Sequence, residues 1–127
     1  MIPETIELHK ASKKLELVYA HNQRFHLEAE YLRVHSPSAE VRGHHPDQAT
    51  LQVGKKSVGI LSVVAVGNYA LQINFDDQHN SGIYSWAYLR ELCDKKEIYW
   101  QTYLGQLKVS GKTRDPDTEV IQLFDQS

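Results

Sequence analysis

The run Phe75-Asp76-Asp77-Gln78-His79-Asn80-Ser81-Gly82-Ile83-Tyr84-Ser85-Trp86-Ala87-Tyr88-Leu89-Arg90-Glu91-Leu92-Cys93 decides how this chain is read. It opens as the end of a strand, turns through a polar segment holding His79, and continues as a helix. Ile83, Trp86, Leu89 and Cys93 fall at helical spacing, with Tyr84, Tyr88 and Leu92 on the neighbouring stripe. A face that broad needs a sheet beneath it. Asn80 or Ser81 is the expected cap, which sets free N–H groups and the positive dipole end beside His79 as a place for a partner or ligand.

Upstream, Thr5 to Lys10, Leu15 to Ala20 and Arg24 to Glu28 alternate apolar with polar residues, the pattern of half-buried strands. Asn22 suits the left-handed position of the turn at His21-Asn22-Gln23, so the chain opens as an antiparallel meander. Glu28 to Val34 loses the alternation and suits a turn or two of helix before Pro37. His35 to Gln48, with two prolines and a glycine, reads as a long loop, a frequent seat of function. Leu51 to Val53 reads as a short strand and Val58 to Val66 as a buried β-branched one. Gly67-Asn68 then turns the chain into Tyr69 to Phe75. Lys95 to Lys108 is a second helix, with Trp100, Tyr103, Leu104 and Leu107 on one side.

The expected fold is α+β: one antiparallel sheet, made from the meander and the central hairpin, with two C-terminal helices packed on it. The domain spans residues 1–109, followed by a mobile tail over 110–127. Within that tail Val120 to Phe124 is a short apolar patch that either docks on a partner, folds back on the core or stays disordered.

With 127 residues the chain makes one domain with a modest core. A net charge of −2 gives no general attraction to nucleic acid or to anionic membrane. The single cysteine, Cys93, excludes an internal disulfide and fits a reducing cytosol; on an apolar helical stripe it reads as a small core hydrophobe. No apolar run spans a bilayer and no signal peptide is read, so the expected location is cytoplasmic.

Histidine is the enriched chemical group. If the long loop folds over the turn at His79, then His44, His45 and His79 could share a zinc or iron ion, although the spacing is not that of a zinc finger. The bland reading is loop histidines bonded to backbone or water. His45-Pro46-Asp47 spells the His-x-Asp of an iron facial triad, but the pattern is short and the chain small for the enclosing fold. No nucleophile elbow or phosphate loop is present. The same loop offers Arg33, Ser36, Ser38, Glu40, Arg42 and His44 which, with His79, form a candidate binding surface. Its arginines either anchor an interface or pair with Glu40 or Glu30 to hold the loop down.

Three separated motifs resemble one family. Tyr31-Leu32-Arg33-Val34-His35-Ser36-Pro37-Ser38-Ala39-Glu40-Val41-Arg42-Gly43-His44, Val66-Gly67-Asn68-Tyr69-Ala70 and His79-Asn80-Ser81-Gly82-Ile83-Tyr84-Ser85-Trp86-Ala87-Tyr88-Leu89 look like the gamma-butyrobetaine hydroxylase-like N-terminal domain family, over roughly Ile6 to Leu107. The resemblance implies a short stand-alone bacterial member of unassigned function. Related domains precede carnitine-pathway oxygenases or are fused to carriers of iron–sulfur clusters. In the hydroxylases such a domain holds a structural zinc through three cysteines and one histidine. Here the histidine matches His79, whereas the cysteine positions fall on Ser36, Ser38 and Val41, which cannot replace thiolates. The 127 residues give no oxygenase part, so no hydroxylation is expected of them. The expected function is a non-enzymatic interaction or accessory module with an unnamed protein partner. The alternative is a metal-binding or metal-delivery protein linked to iron–sulfur assembly.

Overall fold

The computed structural model describes residues 1–116. Strands β1 (Thr5–His9), β2 (Lys14–Tyr19) and β3 (Gln23–Glu28) form the opening meander, and α1 (Ala29–Val34) and the short α2 (Ala39–Arg42) follow. Strands β4 (Ile60–Val66), β5 (Ala70–Phe75) and β6 (Gly82–Ser85) then lead into α3 (Trp86–Asp94) and α4 (Lys96–Ser110). The meander and the central hairpin do not join into the single sheet expected. They are two three-stranded antiparallel sheets, β1-β2-β3 and β4-β5-β6. Each closes locally through tight turns, and the two meet through side chains rather than through a shared ladder.

One core explains that arrangement. Leu15, Leu17, Tyr19 and Leu27 from the first sheet and Ile73, Phe75 and Tyr84 from the second share a buried cluster with Tyr31, Leu32, Leu89 and Leu92 of the helices. The register places Leu15 opposite Leu27, and Leu17 opposite Phe25, so the alternation of the meander delivers its apolar side chains to one face. The turn between β2 and β3 uses His21 and Asn22 at φ 64° and 60°, the left-handed geometry expected of Asn22.

The largest departure concerns Gly82 to Ser85. This segment is a strand, not the first turn of the helix, with Tyr84 opposite Leu71 and Gly82 opposite Ile73. Tyr84 is fully buried while Ile83 is 47% exposed, the two-residue period of a sheet. The spacing from Ile83 to Cys93 mimics a helical stripe, but its first member lies on a pleat. Ser85, not Asn80 or Ser81, caps α3 by accepting the Tyr88 N–H at 3.1 Å. The positive end of that helix therefore lies away from His79.

Three smaller differences follow the same logic. β4 starts at Ile60 rather than Val58 and exposes Leu61 and Val64, because it is an edge strand with a register shift between Ile60 and Ser62. Among the described residues Leu51 to Val53 pairs with no strand; its Gln52 carbonyl accepts from the Tyr103 hydroxyl. The loop from His35 contains α2 and a 3₁₀ turn at Pro46–Gln48. Gly43, at φ 69°, lets the chain fold back so tightly that a Cβ there would lie 2.7 Å from Gln48.

The segment from Ser110, read as a mobile tail, begins in the last turn of α4. Residues 111–116 lie along the loop before β4, where Gly54 N–H and Lys56 N–H donate to the carbonyls of Thr113 and Arg114 at 3.0 Å each. Arg114 clasps the buried Glu30 carboxylate through two bonds of 2.7 Å. The apolar patch at Val120 to Phe124 lies outside the described residues. No helix among the described residues is long and apolar enough to cross a membrane.

Candidate functional site

The proline-containing loop lies against the turn between β5 and β6. His79 is anchored there by its own backbone: its carbonyl accepts the Phe75 N–H at 2.9 Å, and its N–H donates to Asp77 Oδ1 at 3.3 Å. The ring, 4% exposed as a residue, points at the loop. Ser36 Oγ sits 2.8 Å from His79 Nε2, and Ser38 Oγ 3.4 Å from the same nitrogen. Glu40 reaches Nδ1 at 3.6 Å and accepts from the Ser81 hydroxyl at 3.1 Å. With an acid on the Nδ1 side, the neutral ring carries its proton there and accepts the Ser36 hydroxyl at Nε2. Burial holds the imidazole below the usual histidine value and the Arg33 guanidinium pushes the same way, while Glu40 and Asp77 oppose.

Beneath this lies a charged layer. Arg33 Nε donates to Asp77 Oδ2 at 2.9 Å and Arg33 Nη1 to Gln52 at 3.0 Å; Lys55 Nζ reaches the same Asp77 oxygen at 2.6 Å. Burial would raise the Asp77 carboxyl, but the two cations outweigh it and hold it below the usual carboxylate range. Arg33 thus pairs with Asp77 and Gln52 rather than with Glu40 or Glu30, and it pins three chain segments together.

Four members of the expected binding surface, Arg33, Ser36, Ser38 and His79, are therefore buried. Glu40, Arg42 and His44 are exposed. Arg42 lies with its guanidinium 4.5 Å above the Tyr88 ring, and no carboxylate among the described residues pairs with it. Tyr88 in turn donates to the His35 carbonyl at 2.6 Å. Behind Arg42 opens a cleft of about 470 Å³ between the loop and the two C-terminal helices, walled by Val34, Val41, Leu51, Tyr88 and Tyr103. Sequence reasoning missed Asp77, Gln52 and Lys55, whose roles depend on partners far along the chain. It also missed Tyr88 and Tyr103, read only as helix-face residues.

Ser36, His79 and Glu40 follow the order of nucleophile, base and acid. Ser36 is 1% exposed, however, and even a Cβ on Gly82 would sit 2.7 Å from its Oγ, so no substrate carbonyl has room to approach. The donor set does not suit a metal either. Two hydroxyls, one imidazole already bonded to one of them, and Val41 offer nothing in place of thiolates. His44 and His45 are exposed and do not form a cluster with His79. The expected trio of His44, His45 and His79 is thus not assembled, because α2 and Gly43 turn the two loop histidines outward.

The model of the gamma-butyrobetaine hydroxylase-like N-terminal family matches residues 6–90. Two solution structures determined by NMR are similar to the chain. One is 51% identical with a TM-score of 0.80, covering 97% of each chain. The other is 38% identical with a TM-score of 0.76, covering 94% of this chain and 91% of that one. A crystal structure of a DUF971-family protein of unknown function from Acidithiobacillus ferrooxidans ATCC 23270 is also 38% identical, with a TM-score of 0.58 over 71% of this chain and 90% of that one. No curated protein matches.

Proposed function

We propose, from the premise that this chain belongs to the gamma-butyrobetaine hydroxylase-like N-terminal family, that it is a non-catalytic accessory module binding a protein partner through the rim and cleft beside Arg42. The observation that carries this reading is Arg42 itself, an exposed guanidinium stacked on Tyr88 with no carboxylate partner among the described residues. Arginine and tyrosine are the residue types that dominate interface energetics, and here both stand beside a concave, partly apolar wall. The buried bonds from Ser36 and Arg33 hold this wall in one shape, so little ordering cost falls on association.

The contact surface is thus narrower than the residues from Arg33 to His79 as a set. It consists of Glu40, Arg42 and His44 on the outside and the cleft behind them, while His79 supports it from within. Metal delivery loses its support, since neither the Ser36–His79 group nor the loop histidines present a ligand set.

The test is affinity purification with wild type and Arg42→Glu, each checked by amide NMR for an intact fold. Arg42→Glu should lose a specific partner that wild type retains in stoichiometric amount. An identical partner set, or none with either protein, would overturn the reading.

A further inference from the structure

We propose that the outer face of the first sheet carries a zinc-class divalent metal site built by Glu7, His9, Glu16 and His26. The register creates it. Glu7 stands opposite Glu16 across β1 and β2, and Glu16 opposite His26 across β2 and β3. His9 follows Glu7 by two residues and so shares its face. Four side chains of ligating type thus stand together on that face, none of them used by the cleft or by the core.

Glu7, His9 and Glu16 already converge, with His26 beside Glu16. Glu16 Oε1 lies 2.9 Å from His9 Nε2 and 3.4 Å from His26 Nε2, and Glu7 Oε2 lies 3.6 Å from His9 Nε2. The ligand atoms of Glu7, His9 and Glu16 all fall within 4.8 Å of one another, and among the described residues no other histidine, cysteine or acid trio does so. A tetrahedral zinc with bonds of roughly 2.0–2.2 Å has ligand–ligand edges of about 3.3–3.6 Å, so these three contacts come near those edges, and an inward turn of the His26 ring completes the set. A mixed imidazole and carboxylate set without thiolate suits zinc among the biologically common divalent ions.

The surroundings divide the work on Glu16. Its residue is 7% exposed, and Arg24 Nη1 holds Oε2 at 2.7 Å, leaving Oε1 to the imidazoles. A ligating carboxylate fixed through its second oxygen is the usual outer-shell arrangement at metal sites. Arg24 supplies one positive charge against the two carboxylates, and the net negative charge that remains favours a cation. His9 and His26 side chains are 42% and 50% exposed, so their rings can rotate onto a common ion without disturbing the core.

The experiment is calorimetric titration of Zn²⁺ into the untagged full chain after chelator treatment, repeated on His9→Ala, His26→Ala and the double variant His44→Ala, His45→Ala. The two sheet variants lie on exposed side chains, and amide NMR verifies their fold. One equivalent of zinc should bind to wild type, with the dissociation constant raised at least about tenfold in each sheet variant and unchanged in the loop variant. Co²⁺ at the same site should give the intense visible bands of a four-coordinate ion. No binding to wild type, a smaller loss in either sheet variant, or a loss in the loop variant instead would overturn the proposal.

Discussion

Ser36 Oγ lies 2.8 Å from His79 Nε2, and this bond between residues 43 apart is the shortest side-chain contact described between the loop after α1 and the turn before β6. Ser36→Ala removes the closer of the two hydroxyls at the buried ring nitrogen and leaves only Ser38 Oγ, at 3.4 Å. Stability should fall by about 0.5–1.5 kcal/mol, the net worth of one hydrogen bond. Urea unfolding at pH 7.5 measures it, and an unchanged midpoint would show that the bond contributes nothing.

Gly82 and Gly105 should respond to alanine with opposite signs. A Cβ at Gly82 would meet Ser36 Oγ at 2.7 Å and Tyr84 at 3.1 Å, both packed groups, so Gly82→Ala should destabilise by about 1–3 kcal/mol. Gly105 sits inside α4 with open space around it, and Gly105→Ala should stabilise by about 0.5–1 kcal/mol. Thermal unfolding of the two variants side by side gives both signs.

Acid should weaken the fold in a window set by two histidines. Burial holds the His35 imidazole below its usual value, and burial with Arg33 does the same for His79. The unfolded chain takes up protons near pH 6.5 while these native rings do not, so the unfolded state binds more protons and stability falls with pH below that point. Above it their contribution is constant. Urea midpoints between pH 8 and 5.5 should show the decline, and His79→Gln should flatten it. An identical slope in that variant would mean that His79 is not held neutral in the fold.

Glu16 should titrate far below an ordinary glutamate. Its bond to His9, and then that to Arg24, lower the carboxyl from 4.5 to about 2. The stabilisation it lends is fully present above about pH 4.5 and is lost as pH falls toward 2. Carboxyl carbon NMR reads the midpoint directly, and Arg24→Ala should move it upward.

Arg114→Ala should leave the Glu30 carboxylate, whose side chain is 8% exposed, without its bidentate partner. The arginine is itself about a third exposed, so the loss should be about 1–3 kcal/mol rather than the full cost for a sealed pair. Chemical denaturation checks the stability. Faster hydrogen exchange at the Gly54 and Lys56 amides, which donate to Thr113 and Arg114, checks that the strap has loosened.

By itself the sequence determined what is local. The alternation of Leu15 with Leu17, the left-handed Asn22, the turn at Gly67-Asn68 and the helix after Lys95 follow from periods and backbone preferences within a few residues, and each appears in the fold. That the proline-containing loop lies against the His79 turn, which the sequence left as a condition, was decided by the tertiary structure. Tertiary structure alone decided that Gly82 to Ser85 is a strand, because Leu71 and Ile73 were there to pair with it, and that the sheets are two rather than one. It also decided which of the expected site residues face solvent. Arg33 and His79 are drawn inward by Asp77 and Ser36, each more than forty positions away, and a period of two or 3.6 residues carries no information about partners at that distance.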